Sequence, residues 1–239
     1  IALHVRGTRL ERARFADILR VGAVASISPL QTVLTILILT RLVAQFGTDA
    51  LAGYGIGTRL EFLLVPIAFA VGVASVPLVG MAIGAGQIAR ARQAAWTAAG
   101  LATAILGGLG LVVTLAPDLW TGLFTQDPAV LASAAGYFRW AGPVYGLFGL
   151  GLSLYFSSLG AGKALGPVLA GTLRLVMVAG GGALLAMWQT PTWTIFALLS
   201  AGMAVYGISS VLFVRSTPWG VESELPRSTA ARVAAPRGG

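Results

Sequence analysis

Long apolar stretches separated by short polar breaks run through the whole chain. Each stretch reaches the ~20 residues that an α-helix needs to cross ~30 Å of hydrocarbon, and none alternates with the period of two of a membrane β-strand. A window of about 19 residues predicts six spans. They cover residues 21–39, 54–81, 94–115, 130–159, 167–187 and 193–214. Because the breaks are short, consecutive helices are expected to pack as antiparallel neighbours in one bundle.

Composition agrees with this pattern. Of the 239 residues, 56% are hydrophobic and 10% are charged, and the mean hydropathy is +0.85. In a soluble globular domain roughly a quarter of the residues are charged. The sequence therefore predicts an all-α integral membrane protein that folds as a bundle of six transmembrane helices.

The basic residues lie in alternate breaks. Twelve of the sixteen lysines and arginines fall before the first span, in the second and fourth breaks, or after the last span. The opposite side carries Asp49, Asp118 and Asp127, and only Arg41 lies near a helix end there. The positive-inside rule then predicts that both ends of the chain face the cytoplasm. A net charge of +8 spread in this way indicates topology, so we expect no nucleic-acid partner.

Three regions follow from these patterns. Residues 1–20 are expected to form a basic amphipathic lead-in at the cytoplasmic interface, 21–214 the transmembrane bundle, and 215–239 a disordered cytoplasmic tail. The chain begins with Ile1 and is expected to be a fragment. It has no cysteine, and its single His4 lies outside the spans, so no metal site, redox cofactor or enzymatic centre is expected.

Four ionisable side chains fall within the apolar segments: Arg59, Glu61, Arg139 and Arg174. A buried charge there costs at least ~2.5 kcal/mol unless it is paired or hydrated. Arg59 and Glu61 point about 200° apart on one helix. Glu61 is therefore expected to meet an arginine of another helix, with Arg174 as one candidate. Two interpretations stay open, a structural clamp between helices and a proton or ion relay or cavity charge.

A polar face lies on the first span. Ser28, Gln31, Thr32 and Thr35 are spaced as i, i+3, i+4 and i+7, and Pro29 is expected to bend the same helix. Such a face either lines a hydrated cavity or makes hydrogen bonds between helices.

The fourth span carries small residues and a candidate ligand contact. Tyr145 either meets ligand or fills the core. Small residues along the same span predict close helix packing. They are Gly142, Gly146, Gly149, Ser153 and Ser157.

Two longer blocks resemble the multidrug and toxic compound extrusion (MATE) family of bacterial antiporters. FGTDALAGYGIGTRLEFLLVPIAFAVG followed by GMAIGAGQIARAR is similar to that family's seventh and eighth helices and the loop after them. YFSSLGAGKALGPVLAGTLRLVMVAGG resembles the junction of its tenth and eleventh helices. The resemblance implies that the chain is the second six-helix lobe of a twelve-helix transporter in the bacterial inner membrane, whose first lobe is missing.

The same resemblance implies a function. It implies efflux of small organic cations or amphipathic drugs, driven by inward Na⁺ or H⁺ as the coupling ion. Several branches of the family carry a coupling acid on the seventh helix, where this chain has Gln31 and Thr32. The coupling acids are then expected in the absent lobe, or Glu61 takes part. The alternative is a related lipid-linked sugar flippase, whose cavity would use the three intramembrane arginines.

Overall fold

The computed structural model describes residues 12–188 and 190–219, and the helices within them follow the apolar stretches. The long helices are α1 (Arg12–Ala44), α2 (Thr48–Gly84), α3 (Ile88–Leu115), α7 (Leu165–Met187) and α8 (Thr192–Ser216). Three shorter helices, α4 (Asp118–Thr121), α5 (Pro128–Ala141) and α6 (Tyr145–Gly160), lie between α3 and α7. The predicted tail beyond residue 219 and the lead-in before residue 12 lie outside the described residues.

The prediction of an all-helical membrane protein is confirmed. Five helices are long and apolar enough to cross a membrane, and the described ranges contain no strand. Hydrocarbon leaves backbone N–H and C=O groups no partner except one another, so an apolar segment of this length must close its own hydrogen bonds as a helix. Helix α1 continues without a break from Arg12 through the expected boundary at residues 20 and 21.

The fourth predicted span is not one regular helix. It divides into α5, a 3-10 turn at Gly142–Val144, and α6. Pro143 has no N–H to donate to an α-helical bond, which permits the tighter turn. Hydropathy averages across such a break, and this explains why the apolar pattern predicted a single segment.

Glycines bring the helix backbones into contact. On α2, a side-chain carbon added at Gly53 would lie 2.7 Å from the Ala134 nitrogen of α5. Between α3 and α6, a carbon added at Gly146 would lie 3.3 Å from the Cα of Gly107. Small residues allow membrane helices to approach this closely, since dispersion rather than water drives their association. The small-residue face predicted for residues 142–157 is therefore confirmed as a packing surface.

Aromatic side chains fill the centre of the bundle beside these glycines. Tyr137, Phe138 and Tyr145 are fully buried there, together with Phe196 of α8. Further along the same two helices, the hydroxyls of Ser75 on α2 and Ser157 on α6 are hydrogen-bonded at 2.8 Å. The core thus places tyrosine hydroxyls next to α2, the helix that carries Glu61.

Candidate functional site

Glu61 accepts a hydrogen bond inside the bundle from the hydroxyl of Tyr137. The Tyr145 hydroxyl in turn donates to that of Tyr137 at 3.4 Å, a long and therefore weak bond. Tyr137 and Tyr145 are fully buried, whereas Glu61 is partly buried. One carboxylate and two phenols, carried by α2, α5 and α6, thus form a connected polar chain in an apolar core, which we call the Glu61 cluster.

Packing holds the Tyr137 ring in place. Its edge-to-face neighbours are Tyr54 at 5.8 Å, Phe196 at 5.6 Å and Phe138 at 5.3 Å between ring centroids. Edge-to-face pairs at such distances are favourable, because the positive edge of one ring meets the negative face of the other. Gly57, one turn before Glu61, leaves room for the ring against α2. The Tyr137 hydroxyl is therefore positioned by its surroundings and not only by Glu61.

Arg174 is the arginine that the sequence analysis named as a candidate partner of Glu61. It lies on α7 with 8% of its surface exposed, and its guanidinium carbon is 5.5 Å from the centre of the Phe148 ring. Its Nε has no hydrogen-bond partner among the described residues. No ion pair joins Arg174 to Glu61 among the described residues, and its guanidinium faces Phe148 instead.

The expected contact between Glu61 and an arginine of another helix is therefore wrong. Glu61 is hydrogen-bonded to Tyr137, and the guanidinium of Arg174 packs over the ring of Phe148. A buried tyrosine hydroxyl also needs a hydrogen-bond partner, and here the Tyr137 hydroxyl takes the Glu61 carboxylate as its acceptor. A cation over a ring retains part of its stabilisation without an ion pair.

The other two intramembrane arginines lie on the surface of the bundle. Arg59 and Arg139 are exposed, and the Arg59 guanidinium lies 5.0 Å from the centre of the Phe124 ring. The three arginines consequently do not gather around one cavity.

The polar face of α1 divides between two environments. Gln31 is buried and donates from Nε2 to Thr172 Oγ1 at 2.7 Å, which ties α1 to α7. Thr35 is buried and donates to the Gln31 carbonyl at 2.7 Å. Thr32 is exposed and bonds the Ser28 carbonyl of its own helix at 3.1 Å. Ser28 is partly buried, and its hydroxyl oxygen is not accessible.

The sequence analysis predicted only one of the tyrosines around Glu61. Tyr145 was a candidate because of its place in an apolar span, but Tyr137 and Tyr54 were not. The available signal was the need of every intramembrane phenol for a polar partner, in a chain with a single intramembrane acid. The described residues contain no group of three side chains able to hold a metal ion as His, Cys, Asp or Glu ligands. A lone carboxylate with phenol partners can bind and release a proton, or contribute one anionic ligand to a monovalent cation.

Known proteins share this fold and parts of this sequence. A probable multidrug resistance protein NorM of Aromatoleum aromaticum is 29% identical over 119 residues, which cover 50% of this chain and 26% of that protein. The multidrug resistance protein NorM of Burkholderia vietnamiensis is 36% identical over 95 residues, which cover 39% of this chain and 21% of that protein. The structure of the MATE transporter ClbM in complex with Rb⁺ matches with a TM-score of 0.75 at 21% identity, over 91% of this chain and 49% of that one.

These matches differ in extent. The chain aligns with about half of the solved transporter and with 26% and 21% of the two NorM relatives. The sequence model of the MatE family matches residues 25–184, which is more than half of the chain. The chain is therefore a multi-pass membrane protein that belongs to the MatE family of transporters.

Proposed function

We propose that this chain forms one six-helix lobe of a two-lobe secondary transporter that exports organic cations or amphipathic drugs in exchange for inward Na⁺ or H⁺. Two observations support the proposal: the naming of the NorM relatives as multidrug resistance proteins, and the match to about half of the length of ClbM. The other lobe would be its partner. The distribution of basic residues supports a location in the bacterial inner membrane with both ends of the chain in the cytoplasm.

Ion coupling in this lobe is proposed at Glu61, and the hydrogen bond from Tyr137 to Glu61 is the observation that supports it. A carboxylate kept in an apolar core without a direct ion pair changes its charge state more readily than one locked to an arginine. Arg174 is a second buried charge of the same core, and charges interact strongly where the dielectric constant is low. A cation that binds Glu61 therefore competes with the charge of Arg174, and this competition is a means of coupling ion release to a change of conformation.

Substrate contacts are proposed on the exposed part of the α1 polar face. Thr32 is exposed, so its hydroxyl is available to a cleft between the two lobes, whereas the Ser28 hydroxyl is buried and would contribute only through the shape of α1. Gln31 and Thr35 are buried between helices, and Tyr145 is buried beside Tyr137. These three side chains would not contact substrate directly. Gln31 and Thr35 would affect it by fixing the position of α1, and Tyr145 by fixing the Glu61 cluster.

The flippase alternative has less support. A pyrophosphate site would need several cations at one cavity, whereas Arg59 lies over Phe124 and Arg174 over Phe148. Arg139 is exposed on α5. We therefore propose drug efflux and not lipid-linked sugar transport.

Transport by reconstituted protein tests the role of Glu61. The complete two-lobe transporter is placed in liposomes, and drug movement is followed under an imposed pH or Na⁺ gradient. Glu61→Gln keeps the hydrogen-bond acceptor for Tyr137 but cannot ionise, so we expect drug binding to persist and ion-driven transport to fall at least tenfold. Asp118→Asn, at the exposed start of α4, removes the same charge outside the cluster and should transport like wild type.

Two results would contradict this role. Unchanged ion-driven transport by Glu61→Gln would remove Glu61 from coupling. If Glu61→Gln unfolds and Glu61→Gln/Arg174→Gln restores both stability and transport, Glu61 serves only to balance the buried charge of Arg174.

A further inference from the structure

A groove separate from the Glu61 cluster runs between α2 and α3. Its volume is about 960 Å³, and its walls come from residues 70–82 of α2, the turn after that helix and the first half of α3. Several of its lining side chains are exposed, among them Ala74, Leu78, Gln93 and Leu101. The groove therefore lies on the outside of the helix bundle.

Polarity changes along the groove. Gln87, Arg90 and Gln93 line the end next to the α2–α3 turn, whereas Val71 and Leu101 line the far end. From Arg90 to Leu101 the rise of α3 is about 16 Å at ~1.5 Å per residue. That length is close to half of the ~30 Å hydrocarbon thickness. The groove thus has a polar mouth and a wall of about one leaflet in depth that is apolar except for Ser75 and Thr97.

The charge at the mouth is positive and unopposed. None of the lining residues is acidic. Arg90 is exposed, and it donates to Gln87 Oε1 at 3.3 Å, a bond within the lining itself. Its neighbour Arg92 is engaged elsewhere, because it donates to the Thr217 carbonyl at 3.2 Å and lies 5.8 Å from the centre of the Trp219 ring. Arg90 is thus the cation that the groove offers to an anionic group.

We infer that this groove binds an anionic phospholipid, with the phosphate at Arg90 and an acyl chain along the apolar wall. The lipid comes from the leaflet on the side of the α2–α3 turn, which the charge pattern predicts to be cytoplasmic. Basic pockets between transmembrane helices on that side are suited to acidic headgroups. A transmembrane helix of another lobe is the competing occupant, but such a helix needs a contact surface across both leaflets, and this groove ends near Leu101.

Lipid retention measures the inference directly. The complete transporter is purified, exposed to equal amounts of dioleoyl phosphatidylglycerol and dioleoyl phosphatidylcholine, and examined by native mass spectrometry. Wild type should retain phosphatidylglycerol in preference to phosphatidylcholine. Arg90→Gln should lower retention of phosphatidylglycerol about fivefold, the effect of one basic residue near a charged headgroup. Arg41→Gln removes an exposed arginine at the end of α1 and serves as the matched control.

A second variant tests the acyl-chain wall. Ala74→Leu/Ala98→Leu fills the groove from both helices and should lower retention of both lipids. Ala104→Leu makes one such change at an exposed position of α3 outside the groove, as a control for each of the two substitutions, and should change neither. The inference fails if wild type shows no preference for phosphatidylglycerol, or if Arg90→Gln behaves like Arg41→Gln. It also fails if a photo-crosslinker at Leu101 captures the other lobe and no lipid.

Discussion

Gly57→Ala tests whether close packing positions the tyrosine that binds Glu61. Gly57 lies on α2 opposite Tyr137, and a side-chain carbon added there would come within 3.0 Å of three atoms of the Tyr137 ring. Carbon atoms prefer separations of roughly 3.5–4.0 Å, so the ring or the helix must move by about 1 Å or more. Because aromatic neighbours surround the ring, that movement separates the Tyr137 hydroxyl from Glu61.

The size of the effect follows from two opposing contributions. Overpacking a filled core costs about 1–3 kcal/mol of unfolding free energy. Alanine in a helix gains up to ~1 kcal/mol over glycine. Gly55→Ala isolates the second contribution, because nothing lies within 4 Å of a carbon added at Gly55. Gly57→Ala should therefore be less stable than Gly55→Ala by about 1–3 kcal/mol.

Both quantities are measurable in the complete transporter. Unfolding is followed by circular dichroism as denaturing detergent is added to mixed micelles, and ion-driven drug transport is followed in liposomes. We expect Gly57→Ala to lose stability and coupling together, and Gly55→Ala to lose neither. Equal stability and equal transport in the two variants would refute the packing argument.

Two further predictions concern α1 and the topology. Gln31→Leu should lower the unfolding free energy by about 0.6–1.7 kcal/mol in the same titration, because Thr172 loses its partner on α1. Thr32→Leu should leave stability unchanged and shift the drug-resistance profile, whereas equal effects of the two variants on stability would contradict the division of the polar face. A cysteine at Gln87 should react only with a cytoplasmic maleimide reagent and one at Thr48 only with an external reagent, so reversed labelling would overturn the predicted orientation.

The helices were predictable because their cause is local. A segment of some twenty apolar residues in hydrocarbon has no backbone partner except itself, so length and hydropathy alone indicate α2, α3, α7 and α8. The break at Gly142–Val144 is permitted by Pro143 but depends also on a contact outside its own segment. Added side-chain carbon at Gly142 would lie 2.6 Å from the Gly110 carbonyl oxygen, so the turn depends on the backbone of α3.

The candidate site was predictable only in part. Glu61 was identifiable from the cost of one acid in an apolar span, a property of its own helix. Its partner Tyr137 is 76 residues away, and the choice between a phenol and an arginine depends on how α5 and α7 pack against α2. For the same reason sequence spacing placed Gln31 and Thr32 on one face but did not distinguish the buried amide from the exposed hydroxyl.

The glycine contacts also determine which helices can move against each other. Helix α6 meets the backbone of α3 at Gly107 and that of α2 at Val76, where a carbon added at Gly160 would lie 2.6 Å from the carbonyl oxygen. Backbones in such contact have no rotamers to exchange, so we expect α2, α3 and α6 to shift as one rigid block. Helix α1 is tied to α7 by the Gln31–Thr172 bond between side chains, which can break and form again. Sliding of α1 along α7 is therefore the shear motion that this lobe permits at the smallest cost.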